Sequence, residues 1–343
     1  MLPHLSEVKL VDYSEASAEL LLMDKQTREM LVIDEEGTLL STFQPHVEGP
    51  NYVGDWTNGW TFYGHDELIA YGNVYLHLLS KEGVRKKRIP YPINASSTWS
   101  LDRNPKMIHN YKHDERENIL VIIPGASGPP FKTQAYHDSL RQFVTMDLNI
   151  GTHQTLSGKP KQSIYRTLGK HIDNGWPMIR QMTGALFAMT YTVEPRIYIR
   201  DVSNDSVLKV LDIPEAHIPE FTSIPFETNG VTDQTRINAR VFAMGNKIIL
   251  ESIGRIPKDV MRNIRQIPDW PESDDYKVAI RQYVYRNLLV FDESGFLGEL
   301  DWKVGNVYYE MLSSEGGHLW LHRRYDDERD YHTFLKAKVV KSD

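Results

Sequence analysis

The 343 residues are 41% hydrophobic and 25% charged, ordinary proportions for a globular chain able to build a large core. A formal net charge of −7 argues against nucleic acid as a partner, because nucleic-acid-binding surfaces are basic. The absence of cysteine excludes disulfides, thiolate metal sites and a cysteine nucleophile.

The first ten residues show neither a basic leader nor an apolar core of signal-peptide length. No window reaches the roughly 18 apolar residues that a membrane-spanning helix needs. Glu7–Ser14, "EVKLVDYS", is a strand-like run standing ahead of the first clear repeat, and it is expected to close the ring by pairing with the C-terminal blade. Leu20–Phe43, "LLLMDKQTREMLVIDEEGTLLSTF", has the Leu, Met, Glu and Lys content of a helix. Asp24–Glu29 offers no apolar face, however, so a helical period fails there. Three apolar runs separated by "KQTR" and "EEG" read instead as three antiparallel strands, with Gly37 free to take a positive φ in the second turn.

The strand–turn–strand pattern recurs along the chain. "VYLHLLSKEGVRKKRIP" (Val74–Pro90) repeats it, and its basic run Arg85–Arg88 reads as a solvated strand or turn. "QFVTMDLNIGTHQTL" (Gln142–Leu156), "RIYIRDVSNDSVLKVLDIP" (Arg196–Pro214) and "NLLVFDESGFLGELDW" (Asn287–Trp302) follow, and "HTFLKAKVV" ends the series without a turn. Between them lie further paired segments: "DWTNGWTFYGHDELIAYG", "HNYKHDERENILVIIPG", "GWPMIRQMTGALFAMTY", "INARVFAMGNKIILESIG" and "YYEMLSSEGGHLWLHRRY". Together they make about six units spaced by about 50 residues, the scale of a propeller blade. The expected fold is all-β: a six-bladed β-propeller of four-stranded antiparallel blades forming a single domain over residues 1–343. A β-sandwich is the competing arrangement of short, evenly spaced strands. Arg255–Gln282 breaks the pattern. In it, "PKDVMRNIRQ" has the proline and the Val260, Ile264 and Ile267 spacing of a short helix, giving an inserted, partly helical segment that serves as a binding surface or as a cap over a blade edge.

The "VIDEEG" and "VFDESG" hairpins, "RIYIRDVSND" and the terminal "NVYYEMLSSEGGHLWLHRRYDDERDYHTFLKAKVV" resemble those of six-bladed, TolB-like β-propeller proteins of unknown function, a group of predicted bacterial lipoproteins. The likeness covers most of the chain and carries over no functional residue. It implies an exported protein of the periplasm or cell surface, lipid-anchored through a lipobox cysteine outside these residues. The cytoplasm is the alternative compartment.

Familiar catalytic signatures are missing: G-x-G-x-x-G, the Walker A loop, G-x-S-x-G and H-E-x-x-H. "PGASGPP" around Ser127 reads as a connecting loop. His109 and His113 in "HNYKH" share a strand face but stand about 13 Å apart, too far for one metal ion. A metal site therefore requires histidines from separate blades, such as His109, His171 and His322, and solvated or core histidines are the simpler reading. "RRYDDERD" (Arg323–Asp330) and "PESDDY" (Pro271–Tyr276) lack the spacing of a calcium loop and read as solvated turns. In "DWTNGWTFYGH", alternation sends Trp60 and Phe62 to one face and Thr61 and Tyr63 to the other. Arg180, Arg240, Arg323 and Arg324 fall on inner or adjacent strands, where they suit an anionic ligand.

The expected ligand-binding set is Trp56, Trp60, His109, Tyr111, Arg180, Arg240, His322 and Arg323, with no metal and no cofactor. The functional expectation is an exported binding or scaffold protein that recognises a carbohydrate, peptide or protein on one propeller face. A polysaccharide hydrolase or lyase with its site at the central channel is the alternative. A cytosolic WD-type scaffold is disfavoured by the missing W-D and G-H punctuation.

Overall fold

Short β-branched and aromatic runs interrupted by Gly, Asp and Asn turns fold into antiparallel meanders, because each run finds its nearest partner across a tight turn. The computed structural model describes every residue except 1, 4–5, 73, 91–105, 115, 124–129, 174, 301–307, 314–315, 324–330 and 341–343.

After β1 (Leu2–Pro3), the first sheet contains β2 (Val8–Ser14), β3 (Glu19–Asp24), β4 (Met30–Asp34) and β5 (Leu39–Phe43). The second contains β6 (Thr57–Tyr63), β7 (Glu67–Gly72), β8 (Tyr75–Ser80) and β9 (Arg85–Pro90). In the third, β10 (Ile108–His113) and β11 (Arg116–Ile122) are followed by α1 (Gln134–Ser139), β12 (Phe143–Asp147) and β13 (Thr152–Thr155). A short helix α2 (Ile164–Thr167) leads to the fourth sheet: β14 (Pro177–Thr183), β15 (Leu186–Tyr191), β16 (Arg196–Asp201) and β17 (Ser206–Asp212). The fifth begins with an extra strand, β18 (Glu220–Phe221), then β19 (Gln234–Met244) and β20 (Lys247–Gly254). Helices α3 (Lys258–Ile264) and α4 (Asp274–Tyr283) intervene before β21 (Arg286–Asp292) and β22 (Gly295–Glu299). Last come β23 (Tyr308–Ser313), β24 (Leu319–Arg323), β25 (Tyr331–His332), which pairs with β1, and β26 (Phe334–Ala337), which pairs with β24.

The architecture is an all-β propeller of four-stranded antiparallel blades. Against an expectation of six, the described residues form five full blades and a three-stranded sheet, β23–β24–β26. The role expected for Glu7–Ser14 is corrected. Val8–Ser14 pairs with its own neighbour, from Val8 opposite Asp24 to Ser14 opposite Glu19, as the innermost strand of the first blade. A four-residue connection makes that hairpin far cheaper in chain entropy than a partner some three hundred residues away.

A second correction concerns "PESDDY". It is the capped start of α4: the Ser273 side chain accepts from the Tyr276 amide at 3.2 Å, and Asp274 and Asp275 sit in the first turn, where the helix dipole favours negative charge.

The repeated hairpin has a physical basis. Third strands end in Asp34, Asp147, Asp201 and Asp292, and each carboxylate accepts from backbone amides just beyond: Thr38 at 2.7 Å, Asn149 at 2.9 Å, Ser203 at 2.9 Å and Ser294 at 2.7 Å. These are Asx-type turns that stop the strand and start its partner. In the second blade Ser80 takes that place, followed by Gly83 at φ +80°.

The inner strands and their neighbours bury the core between sheets. Val11, Leu21, Trp60 and Phe62 pack between the first and second blades, with Trp60 and Phe62 on one face. Met178, Ala188, Ile197, Val241 and Leu289 pack between the fourth and fifth. Phe242 and Ile249 meet Leu319 and Leu321 of the last sheet, while Trp320 packs with Val8, Leu10 and Leu20 of the first. Outer strands such as β13 are wholly exposed and polar, which blunts edge pairing. Among the described residues, no helix is long and apolar enough to cross a membrane.

Two turn glycines separate backbone strain from crowding. Gly151, at φ +74°, has nothing within 4 Å of an added Cβ, whereas Gly83 would place one 2.4 Å from the Phe43 ring of the first blade. Gly151→Ala is expected to cost about 1–2 kcal/mol from left-handed backbone alone, and Gly83→Ala about 2–4 kcal/mol, measured by urea unfolding. Equal losses would refute the blade-to-blade contact at Gly83.

Candidate functional site

The innermost strands of the first four blades surround a cavity of about 740 Å³. Its wall includes Asp12–Ser14 of β2, Thr61 and Phe62 of β6, His109–Lys112 of β10 and Arg180 and Gln181 of β14, with Lys106 just ahead of β10. Several of these strands are bulged, and bulges re-aim side chains. In β2 the register shifts between Leu10 and Asp12. Leu10 therefore packs with Trp320 of the last sheet, while Asp12, two residues on, reaches the second blade. Without the bulge both side chains would share one face.

Asp12 is the polar hub. Its Oδ2 accepts from Thr61 Oγ1 at 2.8 Å and from the Phe62 amide at 2.9 Å, and its Oδ1 is paired with Lys106 Nζ. Arg180 is buried and donates through Nη1 to the Ile179 carbonyl at 2.9 Å and the Lys106 carbonyl at 3.4 Å. Burial pushes Arg180 down to about 10, with Asp12 opposing and Arg240 adding to the shift, so it stays charged at neutral pH. His109 and Tyr111, two apart on β10, both meet Phe187 of the fourth blade edge-on, with ring centres 5.5 and 5.8 Å away. Burial, reinforced by Lys106 and Arg180, holds His109 well below the ordinary imidazole range, so its ring is neutral. Its Nε2 has no hydrogen-bond partner among the described residues. Burial pushes Tyr111 up to about 12, which keeps it a phenol.

Of the expected set, the structure brings His109, Tyr111 and Arg180 to this cavity and leaves the other residues outside its lining. Trp60 is core: it is buried, and its Nε1 donates to Thr57 Oγ1 at 2.9 Å. Trp56 is 59% exposed beneath the Arg28 guanidinium, 4.1 Å from the ring centre. Arg240 is held by Glu251, which also pairs with Arg286 across the fifth blade. His322 is fully buried, stacked on Phe334 at 4.7 Å and 3.2 Å from His332. Arg323 ends β24, its amide donating to the Thr333 carbonyl. Arg324 and Ser127 lie outside the described residues. His109, His171 and His322 sit in three separate environments, and among the described residues no group of three His, Cys, Asp or Glu side chains is arranged to hold a metal ion.

Sequence reasoning missed Asp12, Thr61, Lys106 and Gln181. A usable signal existed for two of them: Asp12 in "KLVDYS" and Thr61 in "GWTFY" are polar residues inside otherwise apolar strands, where an unpaired polar group would be costly.

His171 belongs to a second buried polar cluster. Its Nε2 lies 2.8 Å from Asp173, and its ring packs against His137 and Phe131. Nearby, the buried Lys159 ammonium lies 5.3–5.9 Å from the ring centres of Tyr136, Tyr165 and Tyr191. Burial pushes Lys159 down to about 8, against the pull of Glu194.

A β-propeller with a polar cavity among its innermost strands is the class that fold and site define. No known family profile matches the chain, and no curated protein does. Among solved structures it is similar to a member of the DUF4221 family from Bacteroides vulgatus, at 9% identity and a TM-score of 0.63, covering 98% of this chain and 94% of that one. That likeness shows the fold alone. A streptogramin B lyase (TM-score 0.46, 11% identity, 99% of this chain and 85% of that one) is more distant. So is the Cps50 (Swd1) propeller domain of Myceliophteria thermophila (TM-score 0.44, 9% identity, 98% of each chain).

The buried imidazoles set an acid limit on stability. Burial lowers His77 and His137 from 6.5 to about 4. Between those values the unfolded chain binds protons that the folded chain refuses, so stability present above pH 6.5 drains away as pH falls toward 4. The thermal midpoint is expected to drop through this window, and His137→Phe to flatten the slope. An unchanged slope in that variant would show that His137 contributes nothing.

Proposed function

We propose that this chain is an exported binding propeller that takes a carbohydrate in the cavity of its innermost strands. The cavity itself is the observation that carries the reading. Its wall balances three cations, Lys106, Lys112 and Arg180, against three carboxylates, Asp12, Glu15 and Glu117. Balanced charge favours a hydroxyl-rich ligand over a simple ion, and Tyr13, Phe62 and Tyr111 add apolar surface to the same wall. A hydrolase or lyase acting there would need a free general base. Asp12, with both oxygens engaged by Lys106, Thr61 and the Phe62 amide, is not available for that role.

Glycan arrays followed by calorimetry are expected to find a carbohydrate ligand. His109→Phe, which keeps the packing on Phe187, and Gln181→Ala are each expected to weaken it about tenfold while leaving circular dichroism unchanged. Empty arrays together with empty pull-downs from a periplasmic fraction would sink the reading. Steady release of cleaved sugar would replace it with the enzyme.

The same proposal takes β23–β24–β26 as the sixth blade of a closed, TolB-like ring. Its support is that β23 runs beside both β19 and β2, and that Trp320 packs into the core of the first blade. His332 Nε2 lies 2.8 Å from the Ser6 carbonyl, and Lys336 pairs with Glu35. Trp320→Ala is expected to cost about 3–5 kcal/mol and to lower a single cooperative transition. Early, separate melting of the last sheet would count against a closed ring.

A further inference from the structure

Between β20 and β21 the chain leaves the fifth blade to form α3 and α4, and the carbohydrate reading makes no use of this insertion. Beside α3 lies a groove of about 460 Å³ lined by Arg255, Ile256, Lys258, Met261, Arg262 and Arg265. Four of its six lining residues are cations and none is an acid. Lys258, Arg262 and Arg265 stand at i, i+4 and i+7, so α3 presents them along one face.

Three of the four are only lightly engaged. Among the described residues, no carboxylate pairs with the side chains of Arg255, Arg262 or Arg265, and Arg265 sits 5.8 Å from the centre of the Trp270 ring. Lys258 is partly committed, with its Nζ donating to the Thr232 carbonyl and its amide donating to Asp233 at 2.9 Å. Unmatched arginines cost folding nothing in water, yet their planar forks are suited to grip carboxylates two bonds at a time.

We propose that this groove docks an acidic segment of a partner protein, with carboxylates on the arginines and an apolar side chain over Ile256 and Met261. The surface is concave, which suits a peptide and not a flat bilayer. The patch is also short and flanked by Asp259, Asp269, Glu272, Asp274 and Asp275, which would repel an extended polyanion such as nucleic acid. Recognition of acidic motifs by clustered arginine is an established mode of peptide binding, and Met adds an adaptable apolar floor.

The test uses a short fluorescein-labelled peptide with glutamates flanking a central leucine, read by polarisation against the whole protein. Wild type is expected to bind it, more weakly as salt rises, and to ignore the same peptide with glutamine in place of glutamate. Arg262→Gln combined with Arg265→Gln is expected to weaken binding at least tenfold. Arg262→Lys, which keeps the charge and loses the fork, is expected to fall between. Both arginines are exposed, so unchanged circular dichroism is expected to confirm that the variants fold. Failure of the wild type to bind, equal binding of the glutamine peptide, or an unaffected double variant would each overturn the proposal. Binding of phosphatidylserine vesicles without binding of the peptide would also overturn it, and would reassign the groove to a lipid surface.

Discussion

A blade of this protein has two apolar faces, and it buries them chiefly against neighbouring blades. Val11 and Leu21 of the first blade are covered by Trp60 and Phe62 of the second, and Ile197 of the fourth by Val241 of the fifth. The last sheet offers Leu319 and Leu321 on one side and Trp320 on the other. Because these contacts are shared between blades, the strands that make them are held by their neighbours. That constraint lets polar groups be placed among them at fixed positions.

The cavity follows from this arrangement. Innermost strands supply short, repeated stretches of wall, and a bulge in one of them changes which face a residue occupies. Asp12 is the clearest case: its carboxylate crosses from the first blade to the second, binds a hydroxyl and an amide there, and pairs with a lysine that precedes the third. A buried carboxylate with its lone pairs satisfied this fully is a positioning element, and losing one partner would leave an expensive unpaired charge. Glu251 does the same within the fifth blade, where it holds Arg240 and Arg286 on the strands to either side.

The insertion obeys different rules. Helices α3 and α4 depart from the end of β20, where an added Cβ on Gly254 would fall 2.2 Å from the Tyr283 carbonyl. That close approach ties the C-terminal end of α4 to the blade. The outward face of α3 is thereby free to carry unmatched charge without disturbing the core. The polar cavity and the basic groove thus occupy separate parts of the molecule, one among inner strands and one on an appended helix.

The amino-acid sequence by itself determined the repeat. Asp34, Asp147, Asp201 and Asp292, each ending an apolar run before a turn, act within a few residues of themselves, and local hydrogen bonding is legible in local sequence. The α3 helix was readable for the same reason, through Pro257 and the spacing up to Ile264. The fate of the aromatic and basic residues was decided by tertiary structure. Trp60 and His322 went to the core and Arg240 to Glu251, while His109, Tyr111 and Arg180 met at the cavity. Those outcomes depend on blade order and on bulges such as the one before Asp12. A single extra residue reverses a strand's facing, and composition and periodicity do not reveal where it falls.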